Sequence, residues 1–259
     1  MIITTSINKN KSLIEKALSL SLKYNIEYRP RQGMSLNYLL ENIDPRMYVV
    51  NNMRGLTYYE QGMGETFFHP NMAFQRIFQL KKGQRDNMAA ACKLESGMLF
   101  FDGTLGLAAD SLTASYVVGK SGKVAAAENS LPIYILVKEG LKFYAEQYPD
   151  WASVIERISI ANADNLDIMR TYEDKSFDVA YFDFMFNRPL TDSSGIQGIR
   201  HIACYDAIKP EHIHEALRIA RTRVVVKSDY NGAKLLLKYG FRIEKERQRK
   251  NFYYAVLEK

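Results

Sequence analysis

One stretch constrains the fold of this chain more than any other: Met98-Leu99-Phe100-Phe101-Asp102-Gly103-Thr104-Leu105-Gly106-Leu107-Ala108-Ala109-Asp110-Ser111. An apolar run ends in an acid and then in two glycines separated by two residues. A short uninterrupted apolar run is the pattern of a strand buried on both faces of a parallel sheet, and Ala108, Leu112 and Val117 resume at helical intervals behind the glycines. Glycine lets the backbone take φ > 0 and lets a ligand approach closely, while the helix start presents unpaired N–H groups. Strand, tight turn and helix start make a nucleotide-sized cradle.

Asp102 decides what such a cradle holds. A pyrophosphate is cradled by glycines and N–H groups alone, whereas a carboxylate at this position repels phosphate and favours a ligand bearing an amino group. A further acid, Glu128, closes the strand-like Lys123-Val124-Ala125-Ala126-Ala127-Glu128. It lies roughly 20 to 25 residues on, where an acid reaches ribose hydroxyls in doubly wound folds. Adenosine joined to a cationic amino-acid tail is S-adenosylmethionine. A nicotinamide dinucleotide fits less well, because Gly103-x-x-Gly106-x-Ala108 lacks the Gly-x-Gly-x-x-Gly order.

Around the cradle, apolar periodicity predicts a strand at Ile2-Ile3-Thr4-Thr5 and a helix over residues 9–24 with a stripe of Leu13, Ile14, Ala17 and Leu18. A short helix capped by Ser35 follows, then strands over 47–51, 55–60 and 65–68, a helix capped by Asn71, and another over 86–94. Behind the cradle, helices over 132–148, 210–221 and 231–239 alternate with strands over 157–163, 177–182 and 224–227, and the pair 241–246 and 252–257 closes the chain. This is an α/β pattern. It predicts a doubly wound, mostly parallel seven-stranded sheet with an antiparallel C-terminal edge, preceded by a small α/β module. The boundary falls near residue 85, giving units 1–85 and 86–259.

Charge separates the same two units. Residues 1–85 carry twelve Lys and Arg against six Asp and Glu, a surplus equal to the +6 of the whole chain, while the remainder balances. The first unit is therefore expected to meet a polyanion such as RNA, with Arg29 and Arg31 of the basic turn Glu27-Tyr28-Arg29-Pro30-Arg31 touching phosphate. The 47% apolar content suits a globular protein, and no apolar stretch approaches the roughly 18 to 20 residues of a membrane span. Cys92 and Cys204 give no disulfide framework. A cytoplasmic location without membrane contact is expected. His201, Cys204, His212 and His214 include metal-ligand types but lack zinc spacing, so no metal is expected.

A second candidate for chemistry is Asp183-Phe184-Met185-Phe186, at the carboxyl end of the fourth strand of the large sheet, where ligands bind in open α/β folds. A carboxylate beside aromatic rings suits a flat base. Asp183 and the Phe184 carbonyl could each accept an N–H of an exocyclic amine while Phe186 stacks on the ring.

These pieces, with Phe68-His69-Pro70-Asn71-Met72-Ala73 and Glu128-Asn129, extend over nearly the whole chain. Through them the sequence resembles class I S-adenosylmethionine-dependent methyltransferases. Within that class it is similar to the small-subunit ribosomal RNA guanine methyltransferases of the J type and their Gram-positive relatives. The resemblance implies that Asp102, Gly103, Thr104 and Gly106 form the donor loop, with Ala109 and Asp110 at the helix start. It puts Glu128 on the ribose hydroxyls, Asn129 against adenine, Asp164 near the adenine amino group, and Asp183 between donor and acceptor. It also implies that a ribosomal RNA base is the acceptor. The family pattern Asp-Pro-Met-[Phe/Tyr] has proline where this chain has Phe184, which removes a fixed φ but keeps the carbonyl. A protein that binds the cofactor and RNA or a partner with little catalysis is the alternative.

Overall fold

The structure is a computed structural model that describes residues 1–6, 10–184, 208–244 and 252–259. A five-stranded sheet forms first, from β1 (Ile2–Thr5), β2 (Glu27–Tyr28), β3 (Arg46–Asn51), β4 (Gly55–Glu60) and β5 (Glu65–Phe67), ordered β2-β1-β3-β4-β5. β1 runs parallel to β2 and β3, and β3, β4 and β5 form an antiparallel meander. One face packs on α1 (Lys11–Tyr24) and the other on α2 (Leu36–Asn42). Ser35 caps α2 as expected, its Oγ accepting the Tyr38 N–H at 3.0 Å. The apolar stripe of α1 is rotated from the expected one: Leu13, Ala17 and Leu20 are buried and Leu18 lies in solvent.

α3 (Asn71–Lys81) and α4 (Asn87–Ala91) lead to the large sheet. Pro70, not Asn71, occupies the N-cap of α3, and having no side-chain acceptor it leaves the helix start without a side-chain cap.

The large sheet contains β6 (Leu99–Asp102), β7 (Lys123–Glu128), β8 (Ile158–Asn162), β9 (Phe177–Asp183), β10 (Ala220–Ser228), β11 (Arg242–Glu244) and β12 (Tyr253–Glu258). Its order is β11-β12-β10-β9-β6-β7-β8, parallel from β8 to β10, with β12 antiparallel to β10 and to β11. The expected doubly wound sheet with its antiparallel edge is therefore present. Between the strands run α5 (Ala109–Val118), α6 (Leu131–Gln147), α7 (Pro149–Ile155), α8 (Asn165–Thr171), α9 (Pro210–Ile219) and α10 (Tyr230–Leu236).

Strand alternation explains why both faces are dry. Phe101, Ala180, Phe182, Val224 and Val226 face the side covered by Ile213, Ala216 and Ile219 of α9. Phe100, Val179, Tyr181 and Val225 face the side covered by Met88, Ala91 and Ala114. The order of the strands reverses between β6 and β9, so the carboxyl ends of these two strands flank the crevice where ligands bind in open sheets.

α6 belongs to both cores. Ile133, Val137 and Leu141 pack under the large sheet, while Ile135 and Leu136 enter the core of the small one. Gly140 permits this approach, since a Cβ there would stand 2.4 Å from Phe68. Buried Glu139, on the same helix, accepts from Lys23 Nζ at 2.6 Å and from the Tyr24 hydroxyl, so α1 is tied to α6 by charge as well as packing. Among the described residues no helix is long and apolar enough to cross a membrane.

Candidate active site

The glycine turn is fixed by its neighbours in the sheet. Gly103 N–H donates to Tyr181 O at 2.9 Å and Leu105 N–H to Ala127 O at 3.0 Å, which anchors the turn to β9 and β7. A Cβ on Gly103 would come within 2.2 Å of the Phe182 ring. Gly106 has φ +48° and nothing nearer than 3.9 Å to its missing Cβ, so its face is open. Ala108, with φ +58°, starts α5 from the left-handed region without a side-chain cap.

Asp102 does not offer its carboxylate to the crevice, as the sequence suggested. The residue is 1% exposed, Oδ2 accepts from Ser111 Oγ at 2.6 Å, and Oδ1 accepts from Thr104 N at 3.0 Å. It ties the turn to α5 from within. Burial without a cation at bonding distance pushes its pKa up to about 7, against the hydrogen bond from Ser111.

Glu128 does meet the loop. Oε2 accepts the Gly106 N–H at 3.1 Å and Oε1 the Ser130 N–H at 2.9 Å, and burial raises this carboxyl too to about 7, against both bonds. Asn129 is exposed at the lip, its carbonyl accepting from Asn162. Asp164 is occupied as the N-cap of α8, with Oδ1 accepting from Leu166 N and Asp167 N. The following residue, which the sequence did not single out, reaches the loop: Asn165 Nδ2 donates to Gly103 O at 3.1 Å.

Across the turn lies an ionic network. Arg76 of α3 donates from Nε at 2.8 Å and Nη2 at 3.0 Å to the Asp86 carboxylate, and from Nη1 to Asp110 Oδ1. Tyr181 OH donates to Asp110 Oδ2 at 2.8 Å. Lys227 Nζ lies 3.9 Å from that oxygen and donates to Asp183 Oδ2 at 2.5 Å. Burial would raise Asp110, but Lys227 and Arg76 outweigh it and hold the carboxyl at about 2. Asp183 is raised, because burial and nearby Asp110 together exceed the pull of Lys227. Two cations serve three acids, and Asp110 is the acid that faces both.

Thr104 connects the two halves. Its Oγ1 accepts the Asp183 backbone N–H at 2.6 Å and stands 3.4 Å from Asp102 Oδ1. Asp183 is also the most open member of the network, its side chain 34% exposed against 22% for Lys227 and 13% for Asp110.

The sequence matches a family model described as "Putative SAM-dependent methyltransferase" over residues 12–255. The chain belongs to that family. The methyltransferase is also 33% identical to an uncharacterized protein, YpiP, of Bacillus subtilis strain 168, over 99% of this chain and 98% of that one. A SAM-dependent methyltransferase of known structure from Neisseria gonorrhoeae shares the fold at TM-score 0.61 and 14% identity, covering 100% of this chain and 96% of that one.

S-adenosylmethionine is accordingly the cofactor, and the residues present fit it. The open face at Gly106 leaves room at the turn, and two buried polar atoms beside the turn, Ser130 Oγ and Asn165 Oδ1, have no partner among the described residues. Such atoms cost about 1–3 kcal/mol each unless something satisfies them.

Of the other candidates, Phe184 is a core residue and not an acceptor platform. It is buried, stacked on Phe182 at 5.5 Å and set edge-on to His212, so only its carbonyl is left for the site. Phe186, His201 and Cys204 lie outside the described residues. Arg29 is half exposed beside Glu27, whereas Arg31 is buried and its Nε donates to Met34 O at 2.8 Å, which makes it a brace for its own turn. The sequence reading missed Arg76, Lys227, Tyr181 and Asn165. Lys227 had a signal: a charge closing the buried run Val224-Val225-Val226 at the ligand end of a parallel strand.

Proposed function

We propose that this methyltransferase transfers the methyl group to a base amino nitrogen of RNA, and specifically of ribosomal RNA. The observation that carries the reading is Asp183: a carboxylate at the carboxyl end of β9, fixed through its backbone to Thr104 of the turn, and the most open acid of the network. The charge surplus of residues 1–85 supports a polyanionic acceptor, and the exposure of Arg29 leaves it free of the core for such a contact.

When bound, S-adenosylmethionine supplies an electrophilic methyl group on a sulfonium sulfur. Glu128 would hold the ribose hydroxyls, and the turn from Gly103 to Gly106 would pass along the amino-acid end. The task of the chain itself is to orient the acceptor. Asp183 accepts one N–H of the amine and so localises the lone pair that is otherwise spread into the ring. The Phe184 carbonyl can accept the other. As the nitrogen gains a methyl group it loses a proton, and Asp183, its carboxyl raised from the ordinary value by burial and by Asp110, is the adjoining base.

The test is transfer of labelled methyl from the cofactor to ribosomal RNA of a strain lacking this protein, followed by nucleoside analysis. Label in an exocyclic amine is expected. Asp183→Ala should bind cofactor almost as the parent does and turn over roughly 30- to 1000-fold more slowly, equivalent to about 2–4 kcal/mol. Asp183→Asn should retain more, since its amide oxygen still accepts. Parent-rate turnover by Asp183→Ala would refute amine positioning, and unlabelled RNA would refute the acceptor.

A further inference from the structure

Lys227 is the group in this site whose position packing does not explain. It ends an apolar strand in direct register with Asp183, and its cation has been taken largely out of water. Burial alone makes an ammonium costly. The surrounding bonds determine which acid it serves. Arg76 occupies one oxygen of Asp110 and Tyr181 the other, which leaves Lys227 3.9 Å from Asp110 but 2.5 Å from Asp183. Its ammonium also stands 5.1 Å from the centroid of the Phe252 ring, which closes it in on another side.

We propose that Lys227 is a positioning residue for methyl transfer: held off Asp110 by Arg76 and Tyr181, it occupies one oxygen of Asp183 and keeps the carboxylate ionised and turned to receive the acceptor amine with the other. This rests on Asp183 being the amine-holding group. Among the described residues, the charged and titratable groups around Asp183 are Lys227 on β10, Asp110 on α5, Arg76 on α3, Asp102 on β6, Tyr181 on β9 and Tyr254 on β12. Of these, Lys227 alone makes a side-chain hydrogen bond to the Asp183 carboxylate among the described residues. Asp110, Asp102 and the two tyrosines can only oppose its ionisation or leave it unchanged, and Arg76 is already bonded to two other acids. Removing Lys227 must therefore raise the Asp183 pKa further.

The experiment uses the full chain with Lys227→Met, Lys227→Gln and Lys227→Arg. Carboxyl carbon NMR of the cofactor-free protein, with the Asp183 signal assigned by its loss in Asp183→Asn, reads the titration directly. The midpoint should move up by about one pH unit or more in Lys227→Met and Lys227→Gln and stay close to the parent in Lys227→Arg. In methyl transfer, the acid limb of kcat should move up with it and kcat near pH 7 should fall roughly tenfold, with KM for RNA changed little and the arginine variant largely restored. An unmoved carboxyl midpoint in a folded Met or Gln variant, or a loss of kcat equal at every pH, would overturn the proposal. If ribosomal RNA takes no methyl group at all, the acceptor reading falls while the carboxyl titration still decides the role of Lys227.

Discussion

The two halves of the active site bury carboxylates in opposite ways. Around the glycine turn, the carboxyls of Asp102 and Glu128 accept only from N–H and O–H groups. In the ionic network, Asp110 and Asp183 accept from Arg76, Lys227 and Tyr181. The partners make the difference: the neutral donors leave Asp102 and Glu128 at about 7, whereas two cations bring Asp110 to about 2. Asp183, whose carboxylate accepts from Lys227 alone among the described residues and has Asp110 nearby, stays raised. Neutral donors make a site whose stability follows pH. Cations make one that fails when a single partner is removed.

The largest effect expected from that contrast is on the ionic side. Arg76→Leu removes three charge-assisted bonds at once, leaving Asp86, largely out of water, without its bonded cation and Asp110 with only Lys227, at 3.9 Å, among the described cations. Breaking a buried pair this way costs about 3–5 kcal/mol. Denaturant unfolding should show it as a lower midpoint at unchanged slope. Arg76→Lys should recover only part, since one ammonium cannot span two acids as the planar guanidinium does. A loss below about 1 kcal/mol would erase the distinction between the halves.

The glycine-turn side responds to pH instead. Asp102 keeps its proton up to about pH 7 in the folded state but only to about 3.8 when unfolded. Between those values the folded state binds more protons, so this group's contribution to stability falls as pH rises through the window and is constant above it. Asp110 has the opposite sign, losing its contribution only as pH drops from 3.8 toward 2. Asp102→Asn keeps an acceptor for Thr104 N–H and has no charge to bury. Relative to the parent it should gain roughly 2–4 kcal/mol between pH 4 and pH 8. Glu128→Gln should follow the same trend and also weaken cofactor binding measured by calorimetry. Unfolding curves that stay parallel to the parent across this range would show that these carboxyls are not raised.

Legibility in the sequence follows the same line. Asp102, Gly103, Gly106 and Glu128 could be read because each stands at the end of an apolar strand or in a glycine turn, and such signals are local. The sheet was readable for the same reason: apolar runs alternate with helical periods from residue 98 onward. Arg76 had no local signal. It lies among the apolar residues of α3, and its partners are 10 and 34 residues away. The inward turn of Asp102 depends on Ser111, in the first turn of α5, and could not be told from an outward one. The Phe184 ring, next to Asp183 in the sequence, could not be assigned to site or core from the sequence, and its stacking on Phe182 puts it in the core. The missed helices α7 and α8 are short, seven residues each, too few for periodicity to stand out.

The smallest expected effect tests whether charge on the small module is of a third kind, exposed and therefore worth little to stability but available to RNA. Arg29 stands 3.6 Å from Glu27 in solvent, a pair of the sort that contributes about 0–1 kcal/mol. Arg31 is buried, is held by Met34 O, and has its pKa lowered by burial. The two arginines of one turn should separate. Arg29→Ala should leave stability unchanged and make the log–log salt dependence of ribosomal RNA binding shallower by about one, the share of a single phosphate contact. Arg31→Ala should lower the unfolding midpoint and leave that slope alone except through loss of the folded turn. Equal slopes for the parent and Arg29→Ala would place the phosphate contacts elsewhere. A slope lowered equally by both would mean that the turn opens on RNA and that Arg31 leaves Met34 to join the contact.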